Sequence, residues 1–266
     1  MSLQAGSRAE SRTKGTSPGT KWASSISKRT KWASLVSDVT AEWLEAPPRP
    51  RAISAVRGVI SVPPGGARVP FESSLERDFL AFCRTDHTVA RVRGQQLVLH
   101  FRELKTGKRR RYTPDFVVDL AEDAAASCRQ VIVETKRWTD LVRARAQMQA
   151  PLAAARLWAS SQADVSFQVV TDRRMAAGHW LANARLLSGQ IDKPFDAEFD
   201  AECADFFRSR GEFRISEMLL AAQQRRLNPE AVLAVLHRMV VRGEVYLDRG
   251  FAIGPETWVS VVGAQK

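Results

Sequence analysis

Residues 111–120, RYTPDFVVDL, and residues 131–140, VIVETKRWTD, decide how this chain is read. Each carries a β-branched apolar stretch bordered by charge, the composition of a strand. Val131–Val133 is an unbroken apolar run, which a strand shows when both faces of its sheet are covered. Residues two apart on a strand share a face, so Glu134 and Lys136 point the same way. Asp115 opens the preceding strand, and if the two strands pair, its carboxylate meets Glu134 at one end of the sheet. Two neighbouring carboxylates repel, and burying both without a cation is costly. Mg²⁺ relieves that cost, because it prefers carboxylate and water oxygens. Such an ion also binds a phosphate oxygen and acidifies a bound water, while Lys136 beside it would steady charge on the phosphate. A phosphodiester-hydrolysing centre is outlined. The plainer alternatives are a turn cap for Asp115 and a weak edge ion pair for Glu134 and Lys136.

Working outward, FESSLERDFLAFC (71–83) sets Leu75, Phe79 and Cys83 four residues apart and predicts a helix with one buried face. TVARVRG (88–94) and QQLVLHF (95–101) predict strands, with LKTGK (104–108) as a turn. YTPDFVVDL and QVIVETK are the third and fourth strands. Residues 140–160 are helical in composition, with a kink or split expected at Pro151. VSFQVVT (165–171) predicts a further strand and RRMAAGHWLANARLL (173–187) a further helix, giving an α/β core with a mixed sheet. After DAEFDAECADFF (196–207), read as an acidic connector, come a helix at ISEMLLAAQQRR (215–226) and another at NPEAVLAVLHRMVVRGE (228–244). Asn228 is the N-cap of the second, with Pro229 at its first helical position. EVYL (244–247) and FAIG (251–254), joined at Asp248-Arg249-Gly250, read as two short strands. Helix, helix, hairpin is the winged-helix outline.

The chain of 266 residues carries 40 Lys and Arg against 29 Asp and Glu, a net charge of +11 that favours a polyanionic partner. No apolar run approaches the roughly 20 residues of a bilayer span, and the N-terminus lacks a signal-peptide core. Cys83, Cys128 and Cys203 are scattered, which suits a reducing cytosol. Neither they nor the four histidines show zinc spacing. Residues 1–70 hold +7 of the charge, and TKWAS at 20–24 returns at 30–34. With so few apolar residues, this stretch reads as a disordered basic arm and linker, with order beginning just after VPPGGARVP (62–70). A sharper reading has Trp22 and Trp32 dock on DNA or a partner protein.

PD at 114–115 with ETK at 134–136 resembles the PD-(D/E)xK nuclease superfamily. The longer match, FESSLERDFL (71–80), YTPDFVV (112–118), VIVETK (131–136), FQVVTD (167–172) and RGEVYLDRGFAIGPETWV (242–259), resembles the TnsA family of transposon endonucleases. The likeness implies a restriction-endonuclease-like mixed sheet flanked by helices over 71–190, and a connector with a winged-helix domain over 191–266. It implies metal-binding roles for Asp115 and Glu134, with the Thr135 backbone carbonyl able to join them, and the lysine role for Lys136. Glu76 is added as an acidic ligand or ligand-positioning group, although Ser73-Ser74-Leu75-Glu76 also fits a helix capping box. The cofactor implied is Mg²⁺, with Mn²⁺ as a substitute. The activity implied is cleavage of the non-transferred (5′) strand of double-stranded DNA at transposon ends. Its partners would be a TnsB-like transposase and a TnsC-like ATPase regulator, in the bacterial cytoplasm at the nucleoid. A stand-alone restriction or repair nuclease, or a silent DNA-binding scaffold, are the alternatives. Lys105, Lys108 and Arg109–Arg111 read as a solvated turn that touches the DNA backbone at most. Arg225, Arg226, Arg238 and Arg242 are candidate phosphate contacts of the C-terminal domain.

Overall fold

The computed structural model describes residues 32–47, 56–63, 65–122, 124, 127–193 and 196–263. β1 (Val36–Trp43) leads; β2 (Gly58–Ser61) and β3 (Arg68–Phe71) pair as a ribbon that feeds α1 (Ser74–Arg84). β4 (Val89–Gly94), β5 (Leu97–Glu103), β6 (Arg109–Tyr112), β7 (Phe116–Leu120) and β8 (Gln130–Lys136) follow. Then come α2 (Trp138–Arg143), α3 (Arg145–Ser161) and β9 (Val165–Thr171). The central sheet has the order β4-β7-β8-β9, with β8 and β9 parallel and the other pairs antiparallel. A second sheet, β1-β5-β6, is antiparallel throughout.

β8 is covered on both faces, as its apolar run requires. Val131 and Val133 pack with Phe79, Phe116 and Val170 on the α1 side. Ile132 packs with Leu97, Leu99, Val117, Ala155 and Ala159 on the other. Phe79 stacks on Phe116 with ring centroids 5.1 Å apart, which fixes α1 across the strand that follows Asp115. Each large side chain buried in this way contributes about 1.5–3 kcal/mol. The α3 face is built from Ala150, Ala153, Ala154, Ala155 and Ala159, all buried, and such small residues let the helix lie close to the sheet.

The N-terminal reading needs correction. Order does not wait for residue 71, because β1 pairs with β5 from Val36 to Trp43 and caps the second sheet. Its sequence, VSDVTAEW, is polar because only one face is covered, and that pattern imitates a tail. Trp32 packs on its own domain, with the Arg156 guanidinium 4.3 Å from the ring centroid. Trp22 and the first TKWAS copy lie outside the described residues. The Pro151 break is also corrected. Pro151 sits inside α3, and the interruption falls at Ala144, which ends α2 and begins α3. Burial of the alanine face against the sheet offsets an interior proline penalty of about 3 kcal/mol.

The segment 173–187 divides into α4 (Asp172–Met175) and α5 (Trp180–Ile191). The presumed connector is helix α6 (Ala197–Arg210), capped by Asp196 and closed at Gly211, whose φ of 71° suits only glycine well. Beyond it lie β10 (Glu212–Arg214), α7 (Ile215–Gln224), α8 (Pro229–Val241), β11 (Val245–Tyr246) and β12 (Trp258–Val261), with sheet order β10-β12-β11. The Asn228 side chain accepts from Glu230 N at 2.9 Å, the cap its sequence called for. FAIG is not a strand; β12 forms later, where Val259 and Val261 turn into the C-terminal core. Arg238 is not a surface phosphate contact either: it is buried and bonded to Asp200. Among the described residues no helix is long and apolar enough to cross a membrane.

FAIG is held by α5 instead. Asn183, 3% exposed, donates to the carbonyls of Arg249 (2.8 Å) and Phe251 (2.6 Å) and accepts from Ile253 N (3.1 Å). Arg249 then donates to the carbonyls of Thr85 (2.7 Å) and Val240 (3.2 Å), and Arg84 pairs with Asp192. The loop before β12 is thus fastened to the end of α1, and the two halves of the chain share one seam. Asn183→Ala orphans three backbone groups and is expected to lower the unfolding free energy by about 2–4 kcal/mol, measured by urea denaturation. An unchanged midpoint would show that the strap carries no stability.

Candidate active site

Asp115 stands one residue before β7, and the register Phe116 opposite Val133 brings it alongside Glu134. Its Oδ2 accepts from both Thr135 N and Thr135 Oγ1, each at 2.7 Å. The strand that carries Glu134 therefore also orients Asp115. Glu134 is 3% exposed; its Oε2 accepts from Tyr112 Oη at 2.7 Å and its Oε1 lies 3.4 Å from Lys136 Nζ. Tyr112 ends β6, so the second sheet supplies a hydroxyl to the first sheet's carboxylate.

These charges act on each other. Burial and the Glu134 charge push the Asp115 carboxyl well above the usual carboxylate range, with Glu76 adding to the effect against the Thr135 bonds. Burial raises Glu134 too, although Lys136 and Tyr112 oppose the rise. Desolvation would lower Lys136, but Glu134, Asp115 and Glu76 outweigh it and push the ammonium's pKa up. Lys136 therefore stays charged. Tyr112 is raised by burial and by the negative charge of Glu134, so it remains a hydrogen-bond donor at neutral pH.

The structure brings Asp115, Glu134 and Lys136 together, and Thr135, which strand alternation points away from Glu134, reaches Asp115 with its hydroxyl as well as its backbone N–H. Glu76 is placed differently. Its Oε1 accepts from Ser73 Oγ (2.9 Å) and its Oε2 from Glu72 N (2.8 Å), while Ser73 Oγ accepts from Glu76 N (3.1 Å). The carboxylate is committed to local bonds at the start of α1, to the hydroxyl of the N-cap Ser73 and to the backbone N–H of Glu72 before it, a variant of the capping box. Only its charge reaches the other acids. Tyr112 is the residue that sequence reading passed over. The available signal was a tyrosine closing an arginine strand just ahead of an apolar one, a half-buried ring whose hydroxyl finds a partner. Arg109–Arg111 likewise form strand β6 and are exposed along it, rather than lying in the preceding turn.

Among the described residues no three His, Cys, Asp or Glu side chains cluster as a ready-made metal cage. Two adjacent carboxylates nonetheless fit Mg²⁺, which commonly takes one or two carboxylates and completes its shell with water and phosphate oxygens. The mutual repulsion of Asp115 and Glu134 is what a cation would relieve. Residues 86–172, which contain this whole constellation apart from Glu76, match the family model for the TnsA-like endonuclease N-terminal domain. This segment is TnsA-like. The TnsA-like match begins just after α1 and ends at the start of α4, so it covers β4 to β9 and leaves the C-terminal half outside. No curated protein matches the chain.

The electrostatics predict a stability effect. A carboxyl with a raised folded-state pKa favours folding while protonated, and that contribution is lost as pH rises through the raised value. The metal-free TnsA-like domain thus carries an unfavourable charge at neutral pH. Asp115→Asn keeps an acceptor for Thr135 and removes the charge. In chelator at neutral pH it is expected to raise the melting temperature by roughly 2–4 °C, with the advantage gone by about pH 4. Calorimetry that finds the variant less stable at both pH values would contradict the buried repulsion.

Proposed function

We propose that the chain is a divalent-metal-dependent DNA endonuclease that cuts the non-transferred 5′ strand at transposon ends. The reading rests on one observation: Asp115 and Glu134 lie side by side at the end of a buried strand pair with the Lys136 ammonium 3.4 Å from Glu134. Asp115, Glu134 and the Thr135 carbonyl would hold Mg²⁺ or Mn²⁺. When bound, the metal polarises a phosphoryl oxygen and lowers the pKa of a coordinated water.

The protein groups supply the rest. Thr135 fixes the Asp115 carboxylate, Tyr112 fixes Glu134, and neither carboxylate has to reorganise when DNA arrives. Lys136 remains protonated and stabilises negative charge as it develops on the phosphate. Glu76 acts from its capping position, as a third negative charge that strengthens the demand for a cation. The C-terminal half, in which α7 and α8 are followed by β11 and β12 and β12 pairs with both β10 and β11, supports a winged-helix module. Its partners would be double-stranded DNA, a TnsB-like transposase and a TnsC-like ATPase. The net charge of +11 supports DNA, and the TnsA-like segment supports cleavage inside a transposase assembly.

The test is strand cleavage of transposon-end DNA in Mg²⁺ with and without the partner transposase. Cleavage is expected to depend on the partner. Asp115→Ala should abolish it, and Lys136→Ala should lower its rate by roughly 10²–10³-fold. Robust cutting by the isolated chain would favour a stand-alone nuclease. Full cleavage by Asp115→Ala in the active assembly would overturn the site.

A further inference from the structure

β8 and β9 run parallel with Lys136 opposite Thr171, so the chain leaves both strands at the same edge. The residues just beyond meet there. Trp138 opens α2, Arg173 lies in α4, and the guanidinium carbon stands 5.1 Å from the indole centroid. Arg137 offers α2 no side-chain cap; Asp172 takes that place, its Oδ1 accepting from Trp138 N at 2.7 Å. The ring is therefore anchored from two strands, two residues past Lys136.

Packing does not account for it. α2 buries none of its residues. Trp138 is 40% exposed and Val142, one turn on, is 56% exposed. Arg137, Arg143, Arg145, Arg173 and Arg174 are all exposed on these elements or beside them. The Trp138 N–H bond, helped by the Arg173 charge, holds the Asp172 carboxyl below its usual range. Trp and Arg are common at protein interfaces too, but this edge adjoins the candidate phosphodiester site in a chain of net charge +11, which favours a polyanion. A presented indole with the Arg173 guanidinium against it and further exposed arginines on the same elements matches nucleic acid, with cations for the phosphates and an aromatic face for a base.

We propose that Trp138 is a stacking platform for a nucleobase that has left the helix beside the scissile phosphate, with Arg137 and Arg173 on the flanking phosphates. This rests on the nuclease reading above. A base inside an intact duplex has both faces occupied by its neighbours, so the indole can stack only on one that is unpaired and extruded. The platform selects distorted DNA at the edge where Lys136 emerges, and the arginines hold the backbone whatever its sequence.

The experiment measures binding of the full chain, with Ca²⁺ in place of Mg²⁺, to a fluorescent duplex and to the same duplex with a short internal bubble. The wild type is expected to prefer the bubble. Trp138→Ala should lose roughly tenfold in affinity for the bubble and keep its affinity for the paired duplex, while Trp138→Phe retains most of the preference. Arg173→Ala should weaken both. Melting temperatures equal to the wild type confirm that the exposed substitutions leave the fold intact. No bubble preference in the wild type, or an equal effect of Trp138→Ala on both DNAs, overturns the platform. So does a Trp138→Ala variant that binds DNA normally but loses stimulation by the partner transposase, which would make the patch a protein contact. A wild type that binds neither DNA, even with the partner transposase present, overturns the nuclease reading itself, a different failure.

Discussion

Two carboxylates held together where water is scarce are the constraint around which this molecule is organised. Asp115 and Glu134 come from adjacent antiparallel strands and meet because Phe116 pairs with Val133. A shift of that register by one residue would turn Glu134 to the other face and dissolve the site. The register is secured by apolar residues on both faces of β8, so the hydrophobic core and the charged site are consequences of the same strand pairing. The polar groups nearby all manage the resulting repulsion: Thr135 bonds Asp115, Tyr112 bonds Glu134, and Lys136 neutralises part of the charge.

Much of this was legible in the residues. The Val131–Val133 run announced a doubly covered strand, and the two-residue spacing of Glu134 and Lys136 announced a shared face. Tyr112 escaped because its role depends on a second sheet approaching the first, a contact that no local pattern records. Glu76 was open to two readings from the start, and Ser73-Ser74-Leu75-Glu76 folds as the local one, a cap. β1 was missed because a strand covered on one face, with Ser, Asp, Thr and Glu outward, has the composition of a tail. FAIG misled in the opposite sense. Its apolar residues are spent on a loop strapped to Asn183 and not on a ladder.

That strap changes how the C-terminal half is seen. Arg249, inside the loop between β11 and β12, reaches the carbonyl that ends α1, and α1 begins with the cap that holds Glu76. Movement of the C-terminal loop is thereby connected to the helix that borders the site, through a rigid element rather than through a linker. A partner that grips the C-terminal half would act on a body already joined to the nuclease core.

Anomalous diffraction from crystals of the full chain soaked in Mn²⁺ tests the central claim most directly. The account predicts a peak at about 2.0–2.2 Å from one oxygen each of Asp115 and Glu134, with Glu76 still bonded to Ser73, and no peak there in the Asp115→Ala protein. Manganese bound elsewhere, or an empty site in the wild type under saturating metal, would contradict it.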